Sequence, residues 1–334
     1  MKPLITLTGI SGFVGMRIAT QALNDGYRVR ATLRDLDQAN RVQRLIARHA
    51  PVDELSFTEA TLTDDKGWGE AMIGADFVIH TASPLILGKV SDESILFAPA
   101  VDGTKRVLQA AKKAKVKRIV VTSTALTMAG HITEGIATAK DFTPIDDPRI
   151  TLYTRSKIAA DQVVQEFISS NPDGPEVLSV YPGVIIGPPI DPNEDSESIE
   201  LFRGIWSGAQ PAIPNIPLPM ADVRDIAKIH ISALTADKMS VSRYIVSFTT
   251  EPQYLPDVAK VLRANGNKRA PRLTIPMPVL RILARFNAQL RSLVSSTDGL
   301  TLKLDINTTM KDFDWKPISF EQSVIDTASA LADS

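Results

Sequence analysis

Leu4-Ile5-Thr6-Leu7-Thr8-Gly9-Ile10-Ser11-Gly12-Phe13-Val14-Gly15 is the stretch whose reading decides the fold. An apolar, β-branched run, Leu4–Thr8, passes straight into spaced glycines and then into Gly12–Asn24, a stretch of helical period. Gly9 can take the tight turn, Gly12 lets backbone N–H groups approach a pyrophosphate at the helix N-terminus, and Gly15 permits close helix–strand packing. The spacing is GxxGxxG rather than GxGxxG, so the order strand, glycines, helix carries the inference of a nucleotide-binding loop, against a turn with incidental glycines. The candidate contacts are Thr8, Gly9, Ser11, Gly12, Phe13, Val14 and Gly15.

Outward from this unit the same alternation repeats. Strands are predicted at Tyr27–Leu33, Leu55–Glu59, Asp76–His80, Arg118–Thr122 and Val177–Tyr181. Helices are predicted at Leu36–His49, Glu93–Ala114 with a kink at Pro99, and Tyr153–Ser169. Such βαβ alternation implies an α/β fold, a Rossmann-type doubly wound parallel sheet. After Tyr181 come a loop rich in proline and acid (187–197) and an apolar, proline-rich one (211–220). Asp222–Leu234 reads as a helix, Tyr244–Ser247 as a strand, and Pro252–Leu331 as mostly helical. The expected division is a dinucleotide-binding domain over 1–189, rejoined by 221–248, and a smaller, mostly helical substrate lobe over 190–220 and 249–334.

Arg34 lies nineteen residues past Gly15, at the end of the second predicted strand, where an acid would suit the ribose 2′-hydroxyl of NAD. An arginine suits a 2′-phosphate instead, and Arg41 could add a second cation, so NADP(H) is expected over NAD(H). The alternative is that both are solvated surface side chains.

Tyr153 and Lys157 form YxxxK, and a spacing of four puts both on one helical face. Carbonyl reduction needs a proton for the oxygen, and a phenol with an ordinary pKa of ~10 donates well near neutrality only when a cation supports its phenolate. Thr122-Ser123-Thr124 ends the fifth predicted strand, on the side of a doubly wound sheet where ligands bind. Taken singly, the pair could be solvated and the hydroxyls could satisfy local backbone.

Bulk properties exclude several classes. The net charge of -1 gives no electrostatic reason to expect nucleic acid or an anionic membrane as main partner. The chain contains no cysteine, which removes disulfides and thiolate chemistry. His49, His80, His131 and His230 show no metal-ligand spacing, so no metal is expected. With no apolar run approaching ~20 residues, the expectation is a cytoplasmic protein, monomer or homodimer.

The chain resembles the extended short-chain dehydrogenases/reductases, and within them the dihydroflavonol reductase, cinnamoyl-CoA reductase and aldehyde or ketone reductase-like families. The residues that carry the resemblance are Thr8–Gly15, Arg28–Arg34, His80–Pro84, Thr122–Thr124, Tyr153 with Lys157, Tyr181–Pro188 and Asp222–Ala227. The resemblance implies reduction of an aldehyde or ketone to the alcohol, reversibly, an activity of EC 1.1.1 type. Tyr153 would donate the proton, Lys157 would activate it and hold the nicotinamide ribose, and Thr124, where serine is usual, would hold the carbonyl oxygen, with Ser123 as competitor. It also implies cofactor contacts at Thr61, Leu62, Thr81, Ala82, Ser83, Thr122, Ser123, Tyr181, Pro182, Gly183 and Val184.

The chain departs from the pattern at Ala60-Thr61-Leu62, where relatives often carry an acid for the adenine amine, which shifts that role to backbone, Asp64 or Asp65. Ala129 stands where dihydroflavonol reductases place asparagine, so that substrate does not follow. Pro84, Leu85, Ile86, Met128 and Trp206 are candidate substrate contacts; any one of them alone reads first as ordinary packing, and as a set they suggest an apolar small-molecule carbonyl. Two further readings remain at this point: a nucleotide-sugar epimerase or dehydratase with retained NAD, and a non-catalytic dinucleotide-sensing interaction protein.

Overall fold

The structure, a computed structural model, describes residues 2–83, 94–237 and 239–332. In chain order it runs β1 (Leu4–Thr8), α1 (Phe13–Asn24), β2 (Arg28–Leu33), a 3-10 turn (Leu36–Gln38), α2 (Ala39–Ile46), β3 (Leu55–Glu59), α3 (Trp68–Met72), β4 (Phe77–His80), α4 (Ser94–Lys113) and β5 (Arg118–Thr122). It continues with α5 (Leu126–Ala129), α6 (Leu152–Ser170), β6 (Glu176–Pro182), β7 (Val184–Ile186), α7 (Glu197–Ser207), β8 (Ala212–Pro214), β9 (Pro217–Leu218), β10 (Met220–Asp222), α8 (Val223–Thr235) and β11 (Arg243–Val246). The last elements are β12 (Gln253–Tyr254), α9 (Leu255–Ala264), β13 (Leu273–Ile275), α10 (Met277–Leu283), α11 (Ala288–Thr297), α12 (Asn307–Asp312) and α13 (Phe320–Ala332).

Two compact units emerge, the first from Met1–Ser123, Leu152–Tyr181 and Ile226–Tyr244, the second from Thr124–Thr151, Pro182–Asp225 and Ile245–Ser334. The first is built on a seven-stranded sheet of order β11-β6-β5-β4-β1-β2-β3. Pairings from β6 through to β3 are parallel, with Thr8 facing Thr32 on one side and His80 on the other. Parallel strands covered on both faces read as unbroken apolar runs, and every residue of β1 is buried. One face of the sheet packs Val78, Ile119 and Val177 against Val107 and Leu108 of α4 and Val164 of α6. Each such side chain contributes on the order of 1.5–3 kcal/mol on burial.

Strand order reverses between β1 and β4, so the carboxyl ends of these neighbours open the crevice at which doubly wound folds bind ligands. The doubly wound α/β reading holds, with the six strands predicted up to Tyr181 found within a residue at each end. The helix expected over Leu36–His49 instead splits into the 3-10 turn and α2, because the Asp35 carboxylate accepts the Asp37 N–H and sets a turn first.

The second unit holds three two-stranded pieces, β7 with β10, β9 with β12 and β8 with β13, together with α5, α7 and α9 to α13. An ionic knot ties it: Arg224 pairs with Asp222 at 2.7 Å and with Asp326 at 2.6 Å. Asp225 accepts the Trp315 indole N–H at 2.9 Å and the Ile318 N–H at 2.9 Å. Among the described residues no helix is long and apolar enough to cross a membrane.

Candidate active site

The phosphate loop is built by sterics. Gly9 has φ +78°, open to glycine at little cost, and a Cβ there would lie 2.7 Å from Thr81 Oγ1 and 2.8 Å from the Ala82 nitrogen. At Gly15 a Cβ would meet the Gly9 carbonyl oxygen at 2.0 Å, so the helix rests directly on the turn. Gly12 differs: the nearest atom to its missing Cβ is Gly9 O at 3.6 Å. Gly12 is the N-cap of α1, which has no side-chain cap and no acid in its first turn. First-turn N–H groups have no acceptor within their own helix, so this uncapped end beside an absent side chain suits an anionic oxygen cluster.

Behind the loop stands a buried network whose pairing the sequence did not show. Thr8 Oγ1 lies 2.8 Å from His80 Nδ1 and accepts the Ala82 N–H at 3.1 Å. His80 Nε2 faces Thr104 Oγ1 at 3.4 Å, and Thr104 in turn donates to the Ala100 carbonyl at 2.7 Å. Those bonds favour an Nε2–H tautomer, with Nδ1 accepting from Thr8. Desolvation first, and the nearby Lys157 charge second, push the His80 pKa down to about 3. The imidazole is therefore a neutral strut joining the ends of β1 and β4. The signal that could have located it is its place in the β4 run, directly opposite Thr8.

Helix α6 carries the pair expected for proton chemistry. Lys157 Nζ stands 5.9 Å from the centre of the Tyr153 ring. The Ser156 hydroxyl donates to the Tyr153 carbonyl at 2.8 Å, bracing the same turn. Desolvation lowers the Lys157 pKa to about 8. A cavity of about 20 Å³, room for about one water, is lined by His80, Thr104, Ser123, Lys157 and Asp161 among others.

Asp161, one turn beyond Lys157, belongs to a second buried group that sequence reading missed. Its carboxylate accepts the Tyr181 hydroxyl at 2.5 Å, and Arg243 reaches Tyr181 at 3.0 Å and Asp161 at 3.4 Å. The only available signal was the i,i+4 spacing from Lys157 to an acid on the apolar side of α6. Tyr181 is fully buried and its hydroxyl engaged in this triad. Thr122 is tied to His230 at 2.8 Å, and the pKa of His230 is lowered to about 4 by burial.

The remaining expected residues divide by unit. In the first, Arg34 is exposed just past β2 and Arg41 sits in the opening turn of α2. The Thr61 carbonyl accepts the Trp68 indole N–H at 3.1 Å, the Leu62 carbonyl accepts Arg106 at 2.8 Å, and Asp65 pairs with Arg106 at 2.5 Å. Thr81 donates to the Thr8 carbonyl at 2.7 Å, while Ala82 and Ser83 follow half-buried. In the second unit, Thr124 is half-buried and its hydroxyl accepts the Leu126 N–H at 3.5 Å. Gly183 lies so close to Pro219 that a Cβ would meet its carbonyl oxygen at 2.4 Å, with Pro182 and Val184 on either side. Met128 is fully buried and packs in the interior, whereas Trp206 is half-buried on α7. Pro84, Leu85 and Ile86 lie outside the described residues.

The model of the NAD dependent epimerase/dehydratase family matches residues 5–246. The chain belongs to that family, among the extended short-chain dehydrogenases/reductases. It is 30% identical to an uncharacterized oxidoreductase of Schizosaccharomyces pombe over 98% of this chain and 96% of the relative. It is 29% identical to a dihydroflavonol 4-reductase of Dianthus caryophyllus over 78% of this chain and 72% of that one. The fold is also that of a yeast methylglyoxal/isovaleraldehyde reductase, Gre2, solved with NADPH, at TM-score 0.80 and 23% identity over 99% of this chain and 98% of that one.

Proposed function

We propose that the protein is an oxidoreductase that uses NADPH to reduce the carbonyl of a small, largely apolar aldehyde or ketone. The observation that carries the reading is the desolvated Lys157 ammonium held 5.9 Å from the Tyr153 ring on one face of α6. At such a separation a positive charge stabilises a phenolate by about 3 kcal/mol at an effective dielectric near 20. Tyr153 donates its proton to the substrate oxygen, and Lys157 supports the charge left on the phenol. The uncapped N-terminus of α1, with Gly12 leaving room beside it, holds the cofactor's pyrophosphate, and Arg34 with Arg41 receives the 2′-phosphate. The bound cofactor supplies the hydride. The Thr124 hydroxyl holds the substrate oxygen, with Ser123, which lines the Lys157 cavity, as its competitor for that role.

Support comes from the family, from the reductase names among the relatives and from NADPH in the Gre2 complex. Since Lys157 is protonated below about pH 8, support for the phenolate weakens above that value. The test is a panel of apolar aldehydes and ketones with purified protein. NADPH should be consumed in proportion to the alcohol formed. Protein that carries tightly retained NAD and converts a sugar nucleotide without net cofactor turnover would overturn the reading in favour of an epimerase.

A further inference from the structure

The net charge of -1 averages over a segment that is anything but neutral. From Lys268 to Thr297 the sequence holds no acid, while Lys268, Arg269, Arg272, Arg281, Arg285 and Arg291 are all cations. In the middle of it lies α10. Leu280 and Ala284 turn inward, 0% and 6% exposed. Val279, Ile282, Leu283 and Phe286 follow at helical spacing on a different face, and Ile282 is 56% and Phe286 87% exposed. The turn after α10 keeps that face continuous, because the Phe286 N–H bonds the Leu283 carbonyl at 3.0 Å and the Ala284 N–H the Leu280 carbonyl at 2.8 Å. Single exposed apolar residues are ordinary, but four neighbours on one helical face are not.

We propose that this face docks on an anionic lipid bilayer, with Ile282, Leu283 and Phe286 entering the interface and the flanking arginines meeting lipid phosphates. A short apolar helical face with cations on either side of it in the chain is a pattern of peripheral membrane attachment. Charge decides between the possible occupants. In a symmetric pairing with a second copy, each patch meets itself, so Arg285 and its basic neighbours would face like charges. An anionic headgroup layer complements them, at about 1 kcal/mol for each cation near the surface. Arg281 is already engaged with Asp298 at 2.7 Å, so Arg285 and the Lys268–Arg272 cluster carry most of the attraction. A bilayer also accepts a protruding Phe286 without a shaped pocket.

The experiment is flotation of the full chain with vesicles of phosphatidylcholine alone, or with roughly 30% phosphatidylserine, at low and high salt. The expected result is binding to the anionic vesicles only, weakened by salt. Ile282→Ser with Phe286→Ser should reduce it at least tenfold, and Arg285→Glu severalfold, with melting temperature unchanged because all three side chains are exposed. Failure of the wild type to float with anionic vesicles overturns the proposal, as does equal binding by the double serine variant. A wild-type dimer that the double variant makes monomeric would overturn it too, assigning the face to self-association. The inference stands apart from the proposed reaction, since vesicle binding is read without turnover.

Discussion

Removing either half of the buried pair behind Lys157 should cost far more than removing both. Asp161 and Arg243 lie 3.4 Å apart with side chains 4% and 5% exposed. Desolvation, the largest influence, raises the Asp161 pKa despite the opposing Tyr181 hydrogen bond and Arg243 charge. A carboxylate whose folded pKa is raised loses stability as pH climbs from its ordinary value through the folded one, so at neutral pH the ionised form is a net burden. Asp161→Leu would take the counter-charge from a buried guanidinium and Arg243→Met from a buried carboxylate, each at roughly 3–5 kcal/mol. The double variant removes both charges together and should lie within about 2 kcal/mol of wild type, a coupling of roughly 4 kcal/mol or more. Urea unfolding followed by circular dichroism at neutral pH, with slopes compared, gives each value. If the double variant loses the sum of the single losses to within about 0.5 kcal/mol, the two charges do not depend on each other and the reasoning fails.

Three other outcomes follow from the same geometry. Gly15→Ala places a methyl 2.0 Å from the Gly9 carbonyl oxygen and should destabilise by about 1–3 kcal/mol, whereas Gly12→Ala should melt like wild type yet bind NADPH more weakly in a fluorescence titration. The depressed pKa values of His80 and His230, about 3 and about 4, mean that the unfolded chain takes up their protons first as pH falls. Stability is thus full above about pH 6.5 and lost below it, by roughly 4 kcal/mol for the two together at about pH 5, and a flat urea midpoint across that range would contradict the neutral, buried histidines. Arg34→Ser should lower kcat/KM with NADPH by about 10–100-fold while leaving NADH nearly unaffected, the magnitude of a hydrogen bond to a charged group.

Much of this was legible in the sequence because the first unit obeys local rules. β1 and β5 are mostly apolar, β-branched runs and β3 alternates apolar with polar residues, each bounded where its pattern ends. The glycine spacing foretold the turn, although Gly15 proves to rest on Gly9 rather than on a strand. Contacts between residues distant in sequence were not legible: Thr8 with His80, Thr122 with His230, and Asp161 with Tyr181 and Arg243. Each joins polar residues that look unremarkable alone and meet only through sheet order. Helix α7 was hidden behind an acid-rich loop, and β8 and β13, three residues apiece, are too short to show a period. The cations on either side of α10 vanished into a near-zero net charge, since a sum carries no position.

The central claim is that the Tyr153 phenol, supported by Lys157, delivers the proton. Single-turnover reduction of a reactive apolar aldehyde by Tyr153→Phe, with NADPH saturating and melting temperature matched to wild type, tests it most directly. The account predicts a fall in the chemical step of about 10²–10⁴-fold with cofactor affinity retained. A phenylalanine variant that turns over as fast as wild type would contradict it.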